Sequence, residues 1–237
     1  MGTQLIITCE HAGNDVPEEY RHLFEHNPEV LETHRGIDIG ALELTNAISE
    51  MLEKEPYLNT VTRLLVDLNR STQSPTLFSE FTREQPLHVR EKIFKKYYQP
   101  HRNKIEDKID QIIANGEQAI HVGIHTFTPV WENKEREVDV GFLFDPRSKA
   151  EQHFCYLWRH ELSQRSSDLR IKMNEPYRGT MDGFTTYLRR QFSNNNYLGL
   201  EIEVNQRFTD PSLQEEWQQL KEDIGKSLQT TVQVFND

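Results

Sequence analysis

Cysteine is scarce in this chain. Cys9 and Cys155 are the two among 237 residues, too few for a disulfide framework, so a reducing cytoplasm is the expected setting. Long apolar runs are missing too: none approaches the ~20 residues needed to span a bilayer. The opening MGTQLIITCEH has neither the basic start nor the long apolar centre of a secretory leader. Basic residues are outnumbered, 27 Lys and Arg against 38 Asp and Glu, for a formal charge of −11. That argues against non-specific nucleic-acid binding, which needs a basic surface. It leaves room for a local cationic pocket that takes an anionic small molecule. No repeat, low-complexity segment or phosphate-binding fingerprint is present, and GNDV and RGTMDG read as turns.

What is present suits one domain over 1–237. Hydrophobic residues make up 35%, yet three Trp, eight Tyr and twelve Phe can build a core. Strand-like apolar runs fall at 4–9, 61–66, 119–125, 139–144 and 197–204. Helical patterns lie between them. Leu42, Ala47, Ile48, Met51 and Leu52 follow a 3.6-residue period from Ile39 onward. Segment 87–115 is helical in composition, with Pro100 marking a kink or a new start. Helices are also predicted at 148–164 and 180–192. A final stripe of Leu213, Trp217, Leu220, Ile224 and Leu228 follows Asp210 as N-cap and Pro211 as first-turn residue. The polar stretches 71–86 and 131–137 read as surface loops. Alternating strands and helices predict an α/β fold with a mixed, mostly parallel sheet between helices.

In such sheets ligands bind beyond the carboxyl ends of the strands. Four predicted strand ends carry polar chemistry: Glu10-His11, Asp67 to Arg70, His125-Thr126, and Glu201 and Glu203 followed by Asn205-Gln206. His11 and His125, from different strand ends, are candidate zinc ligands. Strand alternation turns Glu10 away from His11. Asp38, before the first helix, reads as a helix cap or a third ligand, the cap being the stronger expectation from position alone. Glu201 and Glu203 share one strand face, either a solvated edge or a site in which Glu203, nearer the strand end, acts as general base. Arg70 could pair with Asp67 or grip a substrate carboxylate, with Asn69 beside it. Arg189 and Arg190 form a second anion-binding candidate, though a solvated helix face is the plainer reading. His121 reads as a packed histidine and Cys9 as a small core residue.

The blocks CEHAGNDVPEEY (9–20), HRGIDIGALEL (34–44), RLLVDLNRS (63–71), HTFTP (125–129), DVGFLFDPR (139–147), NEPYRG (174–179) and LEIEVNQ (200–206) resemble, in order, the N-formylglutamate amidohydrolase family. That family is similar in architecture to zinc carboxypeptidases and aspartoacylases, and the aspartoacylase DLNR block matches Asp67 to Arg70. The resemblance implies a zinc-dependent amidohydrolase, zinc or another divalent metal being held by His11 and His125. It implies Glu203 as general base, Arg70 as a catalytic and substrate-binding residue, and Asn69 and Arg190 as further substrate contacts. The implied substrate is an N-formyl or N-acyl amino acid, N-formylglutamate-like. Carboxypeptidases take their acidic ligand three residues after the first His; here that position is Asn14, so Asp38 is the expected third ligand. The rival expectations are a zinc amidase or carboxypeptidase acting on small peptides, and a non-catalytic ligand-binding protein that keeps the fold.

Overall fold

The structure, a computed structural model, describes residues 2–236. Six strands form the central sheet: β1 (Thr3–Cys9), β2 (Tyr57–Leu58), β3 (Gln118–Phe127), β6 (Val140–Leu143), β7 (Ile171–Met173) and β8 (Tyr197–Asn205). A small hairpin of β4 (Val130–Trp131) and β5 (Lys134–Glu135) stands apart from them. The sheet order is β2-β1-β3-β8-β6-β7, and every neighbouring pair is parallel except β6 against β8. The helices are α1 (Ala41–Met51), α2 (Leu87–Ile93), α3 (Gln99–Ala114), α4 (Lys149–Arg165), α5 (Phe184–Gln191) and α6 (Gln214–Asn236). The fold is thus the expected mixed, mostly parallel sheet flanked by helices. None of these helices is long and apolar enough to cross a membrane.

The two sheet faces differ in chemistry. Ile7 and Cys9 of β1, Ile120, Val122 and Ile124 of β3, and Leu198, Leu200, Ile202 and Val204 of β8 pack against α1, α4 and α6 in the main core. The alternate residues face α3 and α5, and many of them are polar: Thr8, His121, His125, Glu201 and Glu203. Period-two alternation therefore delivers ionisable groups to one face while the other is mainly apolar, Thr126 near the end of β3 being a buried polar exception. β8 sits in the middle of the sheet, so the solvated-edge reading of Glu201 and Glu203 fails.

The expected strand at 61–66 does not form. Val61 makes an isolated bridge to Asp15, and turns follow. Leu65, Val66 and Leu68 are all buried, in a separate cluster with Tyr20, Leu77, Ile93 and Tyr98. Side chains buried in succession do not suit a pleat with one covered face. Side chains and backbone of the 71–86 loop tie the segment down instead: Ser79 and Thr82 donate to the Leu64 carbonyl, and the Asp67 N–H donates to Leu77. The neighbouring place beside β1 is filled by the short β2. Between α2 and α3 the chain widens into a π-helical turn, Phe94–Tyr98, just before Pro100. A wider turn accommodates a residue with no N–H to donate. Asp210 does cap, but it caps the 3-10 turn Pro211–Leu213 that precedes α6.

One buried ion pair joins three elements and the loop after β6. Glu151 of α4 accepts from Arg189 Nε of α5 at 2.9 Å, from the Gly199 N–H of β8 at 3.2 Å and from the Asp145 N–H at 2.8 Å. Arg189 also donates to the carbonyls of Gly179 and Gly199. Neither a solvated helix face nor an anion site describes Arg189; it is a structural tie. Removing one partner strands a buried charge, which costs about 3–5 kcal/mol. Glu151→Ala should therefore lower stability by roughly that amount in denaturant unfolding, and the paired change Glu151→Leu with Arg189→Met should recover much of the loss.

Candidate active site

His11 lies just past the end of β1, where the chain turns. Gly13 is required there: a Cβ on it would strike the backbone of Thr60, which accepts from Asp15 N–H. The turn is anchored by Asp38, whose N–H donates to the His11 carbonyl. Asp38 does not cap α1. Gly40, at φ +84°, starts that helix, and the Asp38 side chain points into the cluster instead. A left-handed residue at this step suits glycine.

The cluster is built around that carboxylate. Asp38 Oδ2 lies 3.2 Å from His11 Nδ1 and 2.9 Å from His125 Nδ1, while Oδ1 accepts from Arg63 at 3.1 Å. The outer ring nitrogens are held by two further acids. His11 Nε2 is 2.8 Å from Asp67 Oδ1, and His125 Nε2 is 3.3 Å from Glu10 Oε2. Arg63 also clamps Asp67 with two donors, at 2.8 and 3.2 Å. All these side chains except Arg63 are buried. Strand register brings Glu203 next to His125 across β3 and β8.

Local charge sets the protonation of the group. Burial opposes ionisation of Asp38, but His11, His125 and Arg63 outweigh it and hold the carboxyl far below its usual range. For Asp67 burial is overcome by Arg63 and His11, and for Glu10 by His101 and His125. Burial works against a charge on His125, yet Asp38 and Glu10 hold its pKa well above the ordinary value. Glu203 is the exception. Burial dominates there and pushes it up to about 8. Its Oε2 has no hydrogen-bond partner.

These residues fit a divalent cation. His11, Asp38 and His125 each offer a donor atom within 4.8 Å of the others. The two spacings of 2.9 and 3.2 Å around Asp38 approach the ~3.3 Å edge of a tetrahedron with ~2.0 Å metal–ligand bonds. Carboxylates on the far nitrogens fix both rings in the tautomer that leaves Nδ1 free to ligate. Asp38, Asp67 and Glu10 against the single Arg63 leave a surplus of two negative charges when both imidazoles are neutral, matching a divalent ion.

The cluster opens into a cleft of about 640 Å³. Asn69 and Arg70 line it. Asn69 Oδ1 accepts from Phe184 N–H at 2.6 Å, and its amide lies 3.4 Å from His125 Nε2. Arg70 does not pair with Asp67; it donates to the Asp182 carbonyl at 2.7 Å. Arg102 of α3 donates to the carbonyls of Leu68 and Arg70, and Tyr98 of the π-helical turn to that of Arg70, so the 67–70 turn is braced from behind. Arg190 is exposed and stands outside this cleft, because Arg189 alone turns inward from α5. Asn14 donates to the Leu31 carbonyl, away from the cluster. His121 is packed between the Thr8 and Tyr197 hydroxyls, and burial lowers it to about 4. Burial raises the Cys9 thiol to about 12, which makes it inert.

Glu10 is the main correction. It does point away from His11, but the face it points to is that of His125, where it is buried beside the ring. The sequence pattern does not reveal Asp67 as the partner of His11, nor Arg63 as the partner of Asp38 and Asp67, although both residues lie in RLLVDLNRS. His101, 3.6 Å from Glu10, gave no signal in its helical context.

The sequence profile of the N-formylglutamate amidohydrolase family matches residues 3–209. The chain belongs to this family. A structure of a gene product from Agrobacterium tumefaciens is similar at TM-score 0.78 and 26% identity, over 95% of this chain and 90% of that one. An N-formylglutamate amidohydrolase from Ralstonia eutropha JMP134 is similar in fold at TM-score 0.72 and 16% identity, over 96% and 92%. No curated protein matches significantly. Membership in the family indicates amidohydrolase chemistry.

Glu203 yields a test in the metal-free protein. Its folded pKa of about 8 lies above the ordinary 4.5, so its contribution to stability is full below 4.5 and is lost as pH rises toward 8. Relative to wild type, Glu203→Gln should gain thermal stability across that window and level off above it. The expected total is on the order of a few kcal/mol. A constant difference from pH 4 to 9 contradicts the assignment.

Proposed function

We propose that the chain is a zinc-dependent amidohydrolase that cleaves the amide bond of an N-formyl or N-acyl amino acid, and that residues 1–237 act as one catalytic domain. The observation that carries this reading is the convergence of His11 Nδ1, Asp38 Oδ2 and His125 Nδ1 beside Glu203 at the floor of a cleft. Family membership supports the reaction class. Two buried, unpaired cysteines fit a cytoplasmic setting.

His11, His125 and Asp38 would hold the metal. When bound, zinc supplies Lewis acidity, polarising a carbonyl and lowering the pKa of water to about 7. Glu203 accepts the proton of the attacking water and returns it to the leaving amine. An adjacent divalent charge favours its ionised form, which brings a group at about 8 toward the range where a general base works at neutral pH. Its unpartnered Oε2 is free for that exchange. Arg70 holds the substrate carboxylate with its planar fork, and Asn69 adds an amide contact. Glu10 and Asp67 keep the two imidazoles oriented throughout.

Elemental analysis together with a hydrolysis screen of N-formyl amino acids, N-acetyl amino acids and dipeptides tests the proposal. The expected result is about one zinc per chain and turnover of N-acyl amino acids, lost on chelation and restored by zinc. Glu203→Gln should keep its metal while kcat falls by about 10²- to 10⁴-fold. Near wild-type turnover by that variant rules out Glu203 as the base, and turnover confined to dipeptides favours a peptidase.

A further inference from the structure

Glu201 stands one period-two step before Glu203 on β8, on the same sheet face, and lines the same cleft. It is half-buried. Its Oε1 accepts from the Thr185 hydroxyl at 3.0 Å. Its Oε2 is bound by none of the described residues, and among them Glu201 forms no ion pair. The acids of the neighbouring cluster are all taken: Glu10 faces His125, and Arg63 holds Asp38 and Asp67. Arg189, on the helix that covers this face, is committed to Glu151 and to the Gly179 and Gly199 carbonyls.

Gly183 faces the same carboxylate. Its φ of −162° is extended backbone that any residue adopts, so conformation does not call for glycine here. What the glycine leaves is space. A Cβ on it would lie 3.4 Å from Glu201 Oε1 and 3.3 Å from Asn69 Oδ1. All three residues line the cleft. Asn69 Oδ1 already accepts from the Phe184 N–H, which fixes that amide with its oxygen toward the recess. The recess therefore presents oxygens, one of them on a carboxylate. A group that enters it must bring N–H donors, because an anion or an apolar group would leave these acceptors unpaired. A primary ammonium meets the demand: it is a compact charge with three donors, narrower than a planar guanidinium. The step along β8 from Glu203 to Glu201 is about 6–7 Å, a separation that a four-carbon side chain can bridge. Arg70 is also without an ion pair on this cleft, and it does not meet Glu201. A ligand that carries both charges completes both residues.

We propose that Glu201 is a specificity residue that receives a primary ammonium on the substrate's side chain, so that the cleft favours N-acyl diamino acids, Arg70 taking the carboxylate and Glu201 the ammonium. This rests on the amidohydrolase reading above. A polar site built to bind a group discriminates strongly against an analogue lacking it, because the site's own polar atoms are then left unpaired. Norleucine has the lysine side chain without its ammonium, so the two compare that one group.

The test is calorimetric binding of N-formyl-L-lysine and N-formyl-L-norleucine to the zinc-supplied protein, in the Glu203→Gln background so that neither ligand is consumed. The lysine compound should bind roughly 10- to 100-fold more tightly. Adding Glu201→Gln, which keeps an oxygen for the Thr185 hydroxyl but removes the charge, should abolish the difference. Glu201→Asp, which keeps the charge on a shorter stem, should retain part of it. Equal affinities before the Glu201 change, tighter binding of the norleucine compound, or a preference that survives Glu201→Gln in a protein with unaltered circular dichroism, overturn the proposal. Hydrolysis is scored separately on the protein with Glu203 intact. Selective binding with no turnover of any N-acyl amino acid would refute the amidohydrolase reading and leave the subsite standing. Turnover of both compounds with equal affinities would do the reverse.

Discussion

A single carboxylate organises this site. One oxygen of Asp38 faces the Nδ1 atoms of both His11 and His125, and the other is fixed by Arg63. Three buried acids and two buried imidazoles would be costly if any were unpaired. Each is satisfied by another member or, in our account, by a cation at the centre. The residues around it follow from that demand. Asp67 and Glu10 restrain the far sides of the rings, Arg63 balances two of the acids, and the backbone at Asp38 is tied to His11.

The fold makes the cluster affordable by concentrating burial elsewhere. One sheet face is a mainly apolar core under α1, α4 and α6. The opposite face is free to carry His121, His125, Glu201 and Glu203 because α3 and α5 cover it only partly and a cleft is left at the strand ends. The Glu151–Arg189 pair locks α4 and α5 to β8 behind this face. Chemistry and stability are thus set on different sides of one sheet.

Much of this was readable from residue patterns. β1, β3 and β8 are long apolar runs, and their ends did present His11, His125 and Glu203. The antiparallel place of β6 and the short strands β2 and β7 were not readable, since two or three residues carry no usable period. Segment 61–66 misled because its apolar residues are buried in succession around turns rather than on one pleated face. Glu10 shows a subtler limit. Alternation gave its direction correctly, but which face holds the site depends on the partner strand, and that is a tertiary fact. His11 lies past the strand, where alternation no longer applies.

The central claim is that both histidines ligate through Nδ1 while acids hold their Nε2 atoms. Long-range proton–nitrogen NMR of the imidazoles during a zinc titration reads this directly. The account predicts that zinc shifts Nδ1 of both His11 and His125 at one equivalent, with Nε2 remaining protonated in each ring. Protons on Nδ1 in the zinc-treated protein, or spectra unchanged by zinc, would contradict it.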